Sequence, residues 1–365
     1  MHTCNQIPAN PEPSKLSRRT FVKGVSAGAA LAAGPLLLGV DSKTPPKNPV
    51  LGRGKYKYEA IHDWGTLPAS AHYGNASHGV TIDKQGLVYI THYGKPGSIF
   101  VFDPSGKFIR PMGDFHTVKG GGKGHGIDIR QEGGEEFLYV SANDSSLDFA
   151  KCNLKGELVW RKGKADIHKD SGKYPGKSRY RPTNISFSPD GGYFLGDGYG
   201  SNYLHQYDKE SKYIRTIGGT GSADGQFKTP HGQWLDARDG TPKLVVSDRA
   251  NKRLQWFDLN GKHLKTLGGF LFPADIDIRG DVMLVPDLHC RVTLLDKNDK
   301  VITHLGDDPE WRKAALAGFK MRGQRPKWKP GKFIHPHDAC FDKDGNIFIT
   351  EWVKTGRVTK LRRLS

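Results

Sequence analysis

The chain has 365 residues, enough for one large domain or two ordinary ones. Hydrophobic residues make up 36% and charged residues 25%, which excludes a disordered polar chain. No uninterrupted apolar run is long enough to cross a bilayer, and four cysteines are too few for a disulfide scaffold. The 55 Lys and Arg against 38 Asp and Glu give a formal +17, a charge that favours anionic partners. Punctuation by 46 glycines and 22 prolines favours many short strands joined by turns.

Residues 1–41 read as an address rather than as structure. Ser17-Arg18-Arg19-Thr20-Phe21-Val22-Lys23 precedes an Ala/Gly/Leu-rich stretch from Val25 to Val40. Two arginines before a mildly apolar segment resemble a bacterial twin-arginine export signal. That resemblance implies a periplasmic or extracellular protein, exported already folded. Ala27-Gly28-Ala29 and Ala30-Leu31-Ala32 are both cleavage candidates, and an uncleaved anchor is the alternative. Outside the cytoplasm nucleic acid is scarce, so the basic charge points to an acidic substrate or an anionic cell-surface polymer. Residues 42–55 read as a linker, and 56–365 as one domain.

One phrase recurs through that domain. A small residue or His opens a strand; an Asp-containing turn, a second apolar strand, a bend and a third strand follow. Copies begin at His78, His125, Thr183, His231, Ala274 and His337, spaced 47, 58, 48, 43 and 63 residues apart. Apolar and polar residues alternate within each copy, as in strands. Periods in the forties with three or four strands per unit predict an all-β fold, a six-bladed β-propeller. Tyr56–Trp64 reads as an extra strand that completes the last blade and closes the ring, removing exposed sheet edges. An insertion from about Asp307 to Ile334 separates the last two copies, with a short helix expected over Trp311–Phe319. A monomer is expected.

Here the residues carry a resemblance. The run 219–227 (GTGSADGQF), then Pro230-His231-Gly232, then 247–257 (SDRANKRLQWF) resemble an NHL repeat. Among NHL propellers, the chain is similar over about residues 56–365 to peptidyl-α-hydroxyglycine α-amidating lyase. That enzyme is the second catalytic domain of peptidylglycine α-amidating monooxygenase.

Four copies place His at one register: His78, His125, His231 and His337. The inner strand of each blade lines the central channel, so equivalent positions converge on one axis. His125, His231 and His337 belong to alternate blades, about 120° apart in a six-bladed ring, and can meet one ion from three sides. Three protein nitrogens with a free fourth position form a catalytic rather than a closed zinc site. Such an ion acts as a Lewis acid or lowers the pKa of a bound water. The alternative is that these histidines only hydrogen-bond neighbouring blades. His78 is expected to be structural or a substrate contact, because a fourth ligand would close the site.

The resemblance adds roles. It implies that His125, His231 and His337 hold zinc, that Tyr199 is the catalytic base and that Arg249 is an active-site arginine. A phenol is a poor base unless a cation favours its phenolate, and an adjacent Arg supplies that charge. A packing role for Tyr199 and an interblade salt bridge for Arg249 are the alternatives. Asp338 matches a structural calcium ligand, completed by the carbonyls of Val80 and Ile127, since calcium takes oxygen ligands. A plain turn role for Asp338 is the alternative. His92, Tyr93, His289 and Trp352 are expected around the pocket mouth. Tyr93 stands where the lyase has a further substrate-holding arginine, and Gly200 where it has a disulfide cysteine.

Three functions fit this pattern. The first is a zinc-dependent lyase that cleaves the carbon–nitrogen bond of an α-hydroxyglycine-type small molecule or peptide to an amide and glyoxylate. The second is a non-catalytic propeller that binds a peptide or anionic glycan. The third is a zinc-dependent hydrolase on the same site. Cys152, Cys290 and Cys340 are expected as buried free thiols, with a Cys290–Cys340 pair as the alternative. The Lys119–Gly124 run reads as an interblade loop rather than a phosphate cradle. Basic runs over 151–181 and 311–334 read as solvated loops, with steering of an anionic ligand as the alternative.

Overall fold

The computed structural model describes residues 48–143 and 147–364, so the expected export signal lies outside the described residues. Six antiparallel sheets match the six repeat copies, and the fold is the expected six-bladed β-propeller. Blade one is typical: Ser77–Ile82 lies innermost, followed outward by Val88–His92, Ile99–Phe102 and Phe108–Met112. The sixth blade is composite. Its strands Pro336–Phe341, Ile347–Glu351 and Arg357–Arg363 are followed by Tyr56–His62 from the other end of the domain. Ala60 pairs with Leu361 and Tyr58 with Arg363, which closes the ring.

The closure reaches further back than the sequence suggests. Val50–Arg53, inside the expected linker 42–55, forms a fifth strand against Tyr56–His62. Two bonds hold the strand's approach: the Ala60 N–H donates to the Pro49 carbonyl, and the Asn48 side chain donates to Glu59.

Middle strands are apolar on both faces because each blade is covered on both sides. In blade four, Leu244 and Val246 pack with Phe194 and Leu204 of blade three, while Val245 meets Ile276 and Met283 of blade five. One such cluster fills every junction between neighbouring blades. Each fully buried aliphatic or aromatic side chain there contributes about 1.5–3 kcal/mol.

Inner strands crowd the axis, which explains the His-Gly pairs. A Cβ on Gly79 would sit 2.6 Å from the His125 carbonyl oxygen, and one on Gly232 would collide with the Asp275 carboxylate. Only glycine lets the neighbouring inner strand pass so closely.

Two helices interrupt the blades. The one expected over Trp311–Phe319 runs over Pro309–Leu316 instead. It starts earlier because the Asp308 side chain accepts the Trp311 N–H and Pro309 fits the first turn. It ends earlier because Gly318 and Phe319 take positive φ values of 59° and 53°. The second, Lys164–Ser171, lies in a basic run expected to be loop; Ile167 anchors it beside Tyr174 and Tyr180.

Leu361, fully buried at the closing strand pair, tests this architecture. Leu361→Ala is expected to lower the free energy of denaturant unfolding by about 2–5 kcal/mol. Val50→Ala, at a side chain 43% exposed, should change it by less than about 0.5 kcal/mol.

Candidate metal centre and binding pocket

The four register histidines meet at the axis, all buried. Ring centroids of His125 and His337 are 4.8 Å apart. His231 lies 5.0 Å from His125 and 4.7 Å from His337, and His78 lies 5.1 Å and 4.8 Å from the same two. Two triangles thus share one edge. The ligand nitrogens of His78, His125 and His337 lie within 4.8 Å of one another, a buried group able to hold a metal ion.

The triangles differ in how their rings are held. Nδ1 of His125 meets the Thr183 carbonyl at 2.9 Å, Nδ1 of His231 the Ala274 carbonyl at 2.7 Å, and Nδ1 of His337 the His78 carbonyl at 3.2 Å. A carbonyl only accepts, so each Nδ1 carries the proton and each Nε2 keeps its lone pair. Nε2 of His125 is buried without a partner. In His78 it is Nδ1 that lacks a partner, and the ring lies 4.1 Å from that of Tyr93. Nitrogen proximity alone favours His78 as third ligand; the shared carbonyl anchoring favours His231. Anchoring is the stronger criterion, because it fixes tautomer and direction together, whereas a ring rotation changes proximity. Burial pushes all four histidines below their ordinary pKa, His125 to about 3, so each is a neutral donor near pH 7.

Tyr199 adjoins this cluster. Its hydroxyl lies 2.8 Å from Nε2 of His231, and because that nitrogen is the acceptor, the phenol donates. The Arg249 guanidinium lies 5.0 Å from the centroids of both the Tyr199 and Phe272 rings. Arg249 makes no salt bridge among the described residues, so the interblade-pair alternative does not hold.

A repeated device presents these side chains. In blades three to six, an acid at the end of the second strand accepts an N–H from the segment just before the inner strand. Asp197 takes it from Arg181, Asp248 from Lys228, Asp287 from Phe272 and Glu351 from Ile334. The next turn then donates back: Tyr199 N–H to Arg181, Arg249 N–H to Thr229, Leu288 N–H to Phe272 and Trp352 N–H to His335. Residues from both partners ring the channel mouth, enclosing a cavity of about 390 Å³. Its walls include the expected His78, His337, Tyr93, Tyr199, Arg249 and Trp352. They also include Asn143, Arg181, Phe272, Leu288 and Phe319, which sequence reasoning missed. Arg181 and Phe272 each stand two residues before a repeat start, a register that could have flagged them.

Two expected pocket residues lie elsewhere. His92 is fully buried and stacked 3.7 Å from Phe100, because Tyr93 is the residue that leaves the strand toward the pocket. His289 stacks behind Phe272 at 4.7 Å, and Leu288 takes the lining position.

Asp338 accepts the Val80 N–H at 2.9 Å, and the buried Asp275 carboxyl lies beside it. Asp275 and Asp338 share a hydrogen bond, Asn184 donates to Asp275 at 2.8 Å, and burial raises both carboxyls. Two neighbouring carboxyls raised by burial favour sharing one proton, and a cation is one alternative to that proton.

The insertion's charge is partly spent. Arg312 pairs with Asp307, Lys332 with Asp308 and Arg325 with Asp63, while Arg322 stacks 3.1 Å from the Trp352 ring. Cys152, Cys290 and Cys340 are free thiols; Cys152 and Cys290 are buried and Cys340 half-buried. Among the described residues, no helix is long and apolar enough to cross a membrane.

Comparison with known proteins supports the fold. No protein-family model matches the chain. It is 28% identical over 203 residues to NHL repeat-containing protein 3 of Mus musculus, covering 54% of this chain and 56% of that one. The chain thus spans about half the length of this curated relative. A gluconolactonase structure from Xanthomonas campestris superposes with a TM-score of 0.55 at 11% identity, covering 86% of this chain and 95% of that one. A luciferin-regenerating enzyme gives 0.54 at 11% identity, covering 84% and 96%. At such identities the likeness shows the propeller and nothing of its chemistry.

Metal content separates the triangles. Inductively coupled plasma mass spectrometry should find one transition ion per chain, lost in His125→Ala, His337→Ala and His231→Ala and kept in His78→Ala. Loss in His78→Ala with retention in His231→Ala would assign the other triangle.

Acid should act through buried rings inside and outside this cluster. His62, His92, His125 and His205 are each held at about 3 by burial, below the ordinary value of 6.5. Below pH 6.5 the unfolded chain gains protons that the folded chain refuses. Stability present above that pH is therefore lost as pH falls toward about 3, by up to about 1.4 kcal/mol per pH unit per histidine. Burial also raises six carboxyls, Asp128, Asp197, Asp275, Asp277, Asp287 and Asp338, which work in the opposite sense but are outnumbered by the eleven histidines lowered among the described residues. The melting temperature of metal-free protein should fall steadily from pH 6.5 to about pH 4.

Proposed function

We propose that this propeller is an exported, zinc-dependent lyase acting on an α-hydroxyglycine-type substrate. The observation that carries the reading is Tyr199, its hydroxyl 2.8 Å from a metal-competent histidine nitrogen and its ring centroid 5.0 Å from a buried guanidinium. His125, His231 and His337 would hold the ion, which supplies Lewis acidity toward a substrate hydroxyl. Their fit rests on three Nδ1 atoms anchored to carbonyls and one buried Nε2 without a partner.

Tyr199 takes the substrate hydroxyl proton. Its phenolate is favoured by Arg249, whose charge faces the ring. The freed oxygen electrons form the aldehyde, the carbon–nitrogen bond breaks, and its electron pair stays on nitrogen. Tyr199 returns the proton there, giving an amide and glyoxylate with no water consumed. Phe272, Leu288, Phe319 and Trp352 line the cavity with apolar surface that limits water at the reacting bond. Calcium in place of the Asp275–Asp338 proton is part of the same proposal, as a structural ion.

A peptide ending in α-hydroxyglycine tests this directly. Zinc-loaded protein should release glyoxylate, and Tyr199→Phe should lower kcat by about 10²–10⁴-fold while keeping its metal. In ¹⁸O-labelled water the acyl product should stay unlabelled; solvent oxygen in it would mean hydrolysis instead. No turnover by metal-loaded protein would leave the propeller as a binding platform.

A further inference from the structure

Two guanidiniums in the cavity have no counter-ion. Arg249 is only 6% exposed, and its Nε is buried without a partner. Arg181 donates through Nη2 to the Asn143 carbonyl at 3.1 Å, while its own Nε is also buried without a partner. Among the described residues neither forms an ion pair, and none of the residues lining the cavity is a carboxylate.

The acids at the ends of the strands that lead to Tyr199 and Arg249 are engaged by other donors. Asp197 accepts from the Arg181 N–H, the Ser201 N–H and the Tyr174 hydroxyl. Asp248 accepts from the Lys228 N–H, Asn251, Arg253 and Gln255. Leaving two buried guanidinium N–H groups unpaired is costly unless a ligand completes them.

Arg181 is also placed with care. The Tyr199 N–H donates to its carbonyl at 3.2 Å, so the loop carrying Tyr199 is tied to the segment carrying Arg181. Both arginines line the cavity whose walls also include His78 and His337 of the histidine cluster. Phe272, Leu288 and Trp352 give the same cavity an apolar wall, which begins beside Arg249, 5.0 Å from the Phe272 ring centroid.

The geometry points to Arg181 and Arg249 as a two-arginine clamp for one small carboxylate, held over the histidine cluster with its apolar body against that wall. Guanidinium forks match the two oxygens of a carboxylate, and an apolar wall suits a singly charged ligand better than a multiply charged one. The clamp is independent of the cleavage reaction, because it needs only an anion with an apolar body.

Propionate and its neutral isostere propionamide are the probes, titrated calorimetrically into metal-loaded and chelator-treated protein. Propionate should bind both forms, at least about tenfold more tightly than propionamide. Arg181→Gln and Arg249→Gln should each weaken it about tenfold or more, and Arg181→Lys by less, since Lys keeps the charge without the fork. Equal affinity for the two probes, unchanged affinity in Arg181→Gln, or no binding to wild type would overturn the clamp. Binding that vanishes on chelation would overturn it too, assigning the anion to the metal. If Arg181→Gln does not fold, phenylglyoxal labelling of wild type decides: propionate should protect Arg181, and equal labelling with and without it would sink the proposal. Propionate lacks the bond a lyase would cleave, so a failed cleavage assay leaves this test intact.

Discussion

Everything in this molecule depends on closing the ring. Six sheets that each expose two apolar faces are stable only if every face finds a neighbour, and the last blade is complete only when Tyr56–His62, from the other end of the domain, pairs with Arg357–Arg363. That pairing buries Tyr58, Ala60 and Leu361 in the same cluster as Leu284 and Leu294 of blade five. Without it one blade would lose its outer strands and two junctions would open. Closure also sets the radius at the axis, and with it the distance between inner strands. The glycine after each of His78, His125 and His231 is the sequence's answer to that radius.

Once the radius is fixed, the histidine cluster follows with little freedom. Four imidazoles at one register, on strands this close, lie about one ring diameter apart. The blades that lack histidine still take part: Thr183 and Ala274 offer their carbonyls to His125 and His231. The His78 carbonyl does the same for His337. Odd-numbered blades therefore orient the rings of even-numbered ones, an arrangement that spends backbone atoms on tautomer control. A propeller whose histidines merely joined blades would gain nothing from an unpartnered, fully buried Nε2 such as that of His125.

The repeat start was legible because it combines a distinctive residue type with a regular spacing, and the blade order follows from it. The closing strand was legible for the opposite reason, as an apolar run left over before the first copy. Its outer neighbour was not, since Val50–Arg53 carries little apolar pattern and is mostly exposed. His92 and His289 were misplaced by single-residue phase. In blade three the chain reads Asp197-Gly198-Tyr199, with an extra glycine whose Cβ would strike the Pro230 carbonyl oxygen. The other blades lack that residue: Arg249, Leu288 and Trp352 follow their acids directly. A register copied from Tyr199 therefore overshoots by one at His289. Arg181 escaped because its residue type is its own blade's departure at a shared register, and Asp275 because it shares the register of Asp338 on a blade whose start carries no histidine.

Those departures are where the pocket acquires its sign. At the position two residues before the repeat start, blades three to six carry Arg181, Thr229, Phe272 and His335, a cation, a small hydroxyl and two aromatic rings. At the strand exits they carry Tyr199, Arg249, Leu288 and Trp352. The backbone device is the same in all four, so each side chain is presented on an equivalent turn and only its chemistry differs. Cations therefore collect on the side of blades three and four, and apolar surface on the side of blades five and six. A formal +17 spread over the whole chain would do little at this mouth after salt screening. Two guanidiniums held inside it, with Asp197 and Asp248 engaged by other donors, keep a local field that the surface charge cannot supply.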